Sequence, residues 1–199
     1  MSERNTVART MHDLGLAAWF GGSLMGAIGV NGAAEDVSDP SERARVASAG
    51  WDRWTPYNAA AIGAHLIGGA VLAAANRERV QQQKGALANT AIKTAVTGVA
   101  LAITAYSRVL GNKVSGAGFV PAEGGVKPGA GTPADVAKAQ QQLRALQWAI
   151  PGLTAALVAL GAQQGEQQRP SQVARGLSGK AAGRLRSALR TVVQDESAA

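Results

Sequence analysis

Charged side chains are missing from three long stretches of the chain. Residues 14–34, 54–76 and 145–165 contain no Asp, Glu, Lys or Arg, for runs of 21, 23 and 21 residues. A fourth run, residues 94–107, is 14 long and is bracketed by Lys93 and Arg108. A helix needs roughly 20 apolar residues to cross about 30 Å of hydrocarbon. Long cationic side chains at the ends of a shorter run reach back to the interface. The surface helices of a soluble protein carry a charged face, and these runs have none. The pattern predicts an all-α four-helix transmembrane bundle, with helices at about 11–34, 55–76, 89–110 and 133–163. A soluble, Ala-rich helical bundle is the competing expectation, and the mean hydropathy of −0.01 keeps it open.

Boundary residues refine the layout. Asp39-Pro40-Ser41-Glu42 resembles a capping box and predicts a short outer-loop helix ending near Gly50. Thr55-Pro56 reads as a cap and first residue of the second span, and Thr132-Pro133 as the start of the fourth. Pro151 predicts a kink that frees the carbonyl of Gln147. Residues 111–131, rich in Gly with two Pro, predict a flexible outer loop. The first run is long, broken by Gly and lacks a clean cleavage site, so it reads as a retained helix rather than a secretory signal. Residues 1–165 form the membrane domain and 166–199 a basic tail.

Charge then sets sidedness. The chain of 199 residues carries 20 Lys and Arg against 13 Asp and Glu. Arg77, Arg79 and Lys84 crowd the short second connection, whereas the first mixes Arg43, Arg45 and Arg53 with five acids. Cytoplasmic connections hold excess Lys and Arg, so both termini are expected in the cytoplasm. Trp51, Trp54, Tyr57, Tyr106 and Trp148 fall near the expected outer interface, and Trp19 nearer the inner one. In the tail, apolar residues recur every three or four positions between Arg175, Lys180, Arg184, Arg186 and Arg190, as in a C-terminal amphipathic helix lying on anionic lipid. It lacks aromatics for stacking on bases, so no nucleic-acid partner is expected. The sequence QQQ-x-x-AL precedes both the third and the fourth helix, and biased composition explains it as well as duplication.

Candidate chemistry is sparse. With no Cys and two His, thiol catalysis, disulfides and a metal centre are not expected. No P-loop, HExxH or GxSxG occurs. His65 is the one titratable group placed near mid-membrane, and a polar stripe of Thr94, Thr97, Thr104 and Arg108 would face it. Bis-His haem ligation is disfavoured because His12 and His65 should differ in depth by about 10–15 Å at 1.5 Å per residue. No acid falls inside the runs to pair a cation there. Gly22 and Gly26, Ala64 and Gly68, and Gly98 are small residues suited to close helix packing. Leu14-x4-Trp19-Phe20-Gly21-Gly22 resembles the first helix of small four-helix bacterial membrane proteins.

These features point to a multi-pass protein of a bacterial inner membrane. It would be a structural or accessory component without a cofactor, its partners the bilayer and another membrane protein or a second copy of the chain. The alternative is a small-molecule carrier or a haem- or quinone-linked redox protein built around His65.

Overall fold

The computed structural model describes residues 5–77 and 84–167. The chain divides into two compact units, Met1–Val158 and Ala159–Ala199. The division falls within the last helix. The basic tail, with Arg175, Lys180, Arg184, Arg186 and Arg190, lies outside the described residues.

The fold is all-α. Helix α1 (Thr6–Met25) passes through a π-helical turn, Gly26–Val30, into α2 (Asn31–Glu35). Next come α3 (Pro40–Ala75), α4 (Lys84–Gly116), a small antiparallel hairpin of β1 (Ala122–Gly124) and β2 (Lys127–Pro128), and α5 (Ala134–Gln167). Four segments are long and apolar enough to cross a membrane: Thr6–Glu35, Pro40–Ala75, Leu87–Gly116 and Ala134–Gln163. Leu66, Ile67, Val71, Ile92 and Val99 point outward, a large apolar surface of the kind that lipid covers.

Antiparallel packing of α1 on α3 is the closest in the bundle. Gly22 lies under the ring of Trp54 and Gly26 under that of Trp51, so a Cβ at either glycine would overlap the indole. A core of Leu16, Trp19, Ala100, Ile150 and Leu157, with Ile62 packed against it, draws on all four spans. Trp19 is fully buried there. A second cluster of Ala44, Leu110, Val114, Ala122, Val136 and Ala139 closes the hairpin end.

Two boundaries differ from expectation. The outer-loop helix does start at Pro40, capped by Asp39, whose side chain accepts from the Ser41 amide at 2.9 Å. It does not stop near Gly50, however, and runs on through Pro56 to Ala75. Thr55 caps nothing and donates its hydroxyl to the Trp51 carbonyl at 2.9 Å. Proline costs one backbone bond and disfavours the helical conformation before it. Seating Trp54 on Gly22 of α1 and Trp51 on Gly26 of the π-helical turn holds the two halves in line against that cost. Helix α5 likewise continues through Pro151, where Thr154 donates to the Ile150 carbonyl at 2.8 Å.

Residues 111–131 are not a structureless loop. Helix α4 continues to Gly116, and the hairpin that follows is tied down. Lys127 pairs with Glu35, and Gln140 donates to the carbonyls of Gly124 and Gly125 at 3.3 Å each. Thr132 accepts from the Gly129 amide at 2.9 Å. Gly118 (φ 71°) and Gly131 (φ 87°) supply the left-handed turns that let the chain reverse.

Candidate functional site

The first candidate is the histidine pair. His12 and His65 stack with ring centroids 4.1 Å apart and planes inclined by 18°. His12 Nδ1 bonds the His65 carbonyl at 2.9 Å, and His65 Nδ1 bonds the His12 carbonyl at 3.0 Å. A carbonyl oxygen only accepts, so both rings carry their proton on Nδ1. Local symmetry explains the reciprocity. Ala8, His12 and Gly15 have the same spacing as Ala61, His65 and Gly68, and the two helices are antiparallel. A Cβ on Gly15 would strike the Ala61 carbonyl and the His65 amide; one on Gly68 would strike the Ala8 carbonyl and the His12 amide. Each glycine thus lets the opposite histidine's backbone come close enough for its ring to reach across.

This overturns the expected depth difference. His12 lies against His65 and Gly26 against Trp51, so residues around Leu24, the middle of the first charge-free run, are level with Arg53 at the edge of the second. The two runs are staggered, which a count of charges along each run does not reveal. Asp13, next to His12 in the chain, is therefore near the His65 level. Haem is disfavoured for a different reason: rings stacked 4.1 Å apart leave no space between them for a macrocycle. The pair is a clamp between two helices, and Trp19 closes it edge-on at 6.3 Å from His65.

The second candidate is a cavity of about 340 Å³ between α3, α4 and α5, at the hairpin end. One wall is the α3 face Trp51, Trp54, Asn58 and Ile62, at helical spacing. Thr104, Ser107 and Arg108 of α4 form the opposite wall, with Ile150 and Gln147 from α5. The π-helical turn precedes Asn31, which is buried and joins three elements. Its side chain accepts from Trp51 Nε1 at 3.1 Å and donates to Gln147 Oε1. Arg108 pairs with Asp52 at the rim.

Four residues of the lining each carry a polar atom that is packed out of contact with the cavity and has no hydrogen-bond partner: Trp54 Nε1, Asn58 Oδ1, Thr104 Oγ1 and Ser107 Oγ. Buried polar atoms are ordinarily satisfied, at a cost of about 1–3 kcal/mol each when they are not.

The expected polar stripe is thus divided. Thr104 and Arg108 line the cavity, whereas His65 does not. Thr94 is exposed and donates to the Thr90 carbonyl at 2.9 Å. Thr97 is half-buried and outside the lining. Of the packing residues, Gly22, Gly26 and Gly68 meet the opposite helix, Ala64 is half-buried on α3, and Gly98 has nothing within 4 Å of where a Cβ would stand. Trp51 and Trp54, expected in an interfacial belt, turn inward, while Tyr57, Tyr106 and Trp148 are exposed. Sequence reasoning missed Asn31, Asn58, Ser107 and Gln147 as site residues. The available signal was the Trp51, Trp54, Asn58 spacing on one helical face. No family model matches the chain, and neither curated proteins nor solved structures give a match.

Proposed function

We propose that the chain is an integral membrane protein that acts by binding a small molecule, with the clamped α1–α3 pair as its rigid frame. The interhelical cavity of about 340 Å³, walled by Trp51, Trp54, Ile62 and Ile150 with Asn58, Thr104 and Gln147 among them, carries this reading. Sites of this kind are concave, mostly apolar and set with a few polar groups, and typically measure about 300–1,000 Å³. This one is at the small end of that range. The expected structural or accessory role becomes the role of the frame, and the carrier alternative moves from His65 to the cavity.

We place the protein in a bacterial inner membrane with both termini in the cytoplasm. Arg77, Arg79 and Lys84 in the short second connection support that sidedness. The basic tail would lie on anionic lipid. The outward residues Ile92, Val99 and Tyr106 of α4 leave a face for a second membrane protein or a second copy.

The test is to purify the protein in mild detergent and examine it by native mass spectrometry, beside a Thr104→Phe variant that fills the cavity. A non-lipid small molecule should accompany the wild type and be lost from the variant. Identical spectra for the two would count against the reading.

A further inference from the structure

Asp13 is the one acid of α1, and the register of the bundle sets its depth. The stack of His12 on His65 levels it with the middle of α3. The charge-free run of α3, residues 54–76, has eleven residues on each side of His65. At 1.5 Å per residue that is about 16 Å to either end. A long Lys or Arg side chain reaches back toward an interface, but a carboxylate on a single methylene does not.

Asp13 is exposed, and it belongs to none of the four ion pairs among the described residues. Arg9, one turn earlier on α1, is likewise exposed and in none of them. Beside Asp13 the outward face of α1 continues through Thr10, Leu14, Ala17 and Gly21, all exposed and three or four residues apart. Leu14 is 65% exposed, and nothing is within 4 Å of where a Cβ on Gly21 would stand. The other face, with Gly15 and Gly22, is taken by α3.

Lipid tails cover an apolar face, but they do not solvate an ionised carboxylate. A charge at such a depth is met by an opposite charge. We propose that this face of α1 docks a transmembrane helix of another protein that carries a Lys or Arg at mid-depth, its cation set against Asp13. The face is distinct from the outward face of α4, and the proposal is independent of the cavity. Charge complementarity fixes the partner's depth as well as its chemistry, because a cation two turns too high or too low leaves Asp13 in hydrocarbon.

The test uses the full chain in phosphatidylcholine vesicles, with a donor dye on Ser41→Cys. The probes are acceptor-labelled Leu–Ala transmembrane peptides of about 20 residues with Lys, Leu or Glu at the centre. Energy transfer should show the Lys-centred peptide binding at least about tenfold more tightly than the Leu-centred one, and the Glu-centred one no tighter than Leu. Moving the Lys by two turns, about 11 Å, should remove the preference. Asp13→Asn, an exposed and nearly isosteric change, should bring the Lys and Leu peptides within about threefold of each other, with its SDS unfolding curve unchanged. Gly21→Leu fills open space on the same face and should weaken every peptide while keeping the preference for Lys. If the three peptides bind alike in the wild type, the charge of Asp13 is met within the chain, with Lys93 of α4 as its counter-charge, and the proposal is overturned. A preference for Lys that survives Asp13→Asn also overturns it. Energy transfer between labelled copies of the chain itself, lost in both Asp13→Asn and Arg9→Gln, would replace the foreign helix by a second copy.

Discussion

Adding one methyl group at Gly68 should loosen the entire α1–α3 pair. The new Cβ would strike the Ala8 carbonyl oxygen and stand 2.6 Å from the His12 amide nitrogen and 3.0 Å from its Cα, against an ordinary contact distance of 3.4 Å. All three obstacles are backbone, which cannot rotate aside. The helices must separate by about 0.8 Å to relieve the overlap. The reciprocal histidine bonds, now 2.9 and 3.0 Å, would stretch to about 3.7 Å and cease to be hydrogen bonds. Two bonds at about 1 kcal/mol net each, plus about 1 kcal/mol of lost packing, outweigh the roughly 1 kcal/mol that Ala gains over Gly in a helix. Gly68→Ala should therefore destabilise by about 2 kcal/mol net. Gly15 occupies the symmetry-related position, so Gly15→Ala should cost the same within about 0.5 kcal/mol. Titration of SDS into mixed micelles, followed by the fluorescence of the indoles including buried Trp19, measures both. Wild-type stability in either variant would refute the clamp.

Gly98→Ala provides the contrast, because nothing is within 4 Å of that position: it should be neutral or stabilise by up to about 1 kcal/mol in the same titration. Gln147→Leu leaves the buried Asn31 amide without its acceptor on α5 and should cost about 1–2 kcal/mol and shift Trp51 emission through the shared Asn31 contact. Asp39 is held below its ordinary value of 3.8 by the Ser41 hydroxyl first and the Ser41 amide second. Its cap therefore supports the helix fully above pH 3.8 and is lost as pH falls through the lower folded value. Hydrogen exchange at Ser41 should show protection fading over that acid range in the wild type, and no such step in Asp39→Ala.

The spans were legible because lipid demands long uncharged runs, and four such runs became four helices. The cap at Asp39 was legible because an acid two residues before an amide is a local matter. The rest depended on register between helices, which no single run encodes. Charge-free windows place His12 at a membrane edge and His65 at mid-depth; glycine-mediated packing slides the two helices until the rings meet. The repeated Ala-x3-His-x2-Gly spacing was present in the sequence, but only the antiparallel pairing gives it meaning. Pro56 reads locally as a helix start and is overruled by two tryptophans packing on glycines one helix away. The cavity was half visible, through Thr104 and Arg108, because they share a helix face; Asn58, Asn31 and Gln147 join them only through tertiary packing.

Water accessibility along the spans tests the membrane assignment most directly, and a chain without cysteine allows single-Cys scanning with no background. Cysteines at Leu66, Ile67, Val71, Ile92 and Val99, all outward in the bundle, should resist a membrane-impermeant maleimide in intact vesicles and react once detergent is added. A cysteine at Ser41, on the exposed first turn of α3, should label or be shielded according to vesicle orientation alone. If the five apolar positions label as fast in intact vesicles as in detergent, the helices face water and the four-span bundle is wrong.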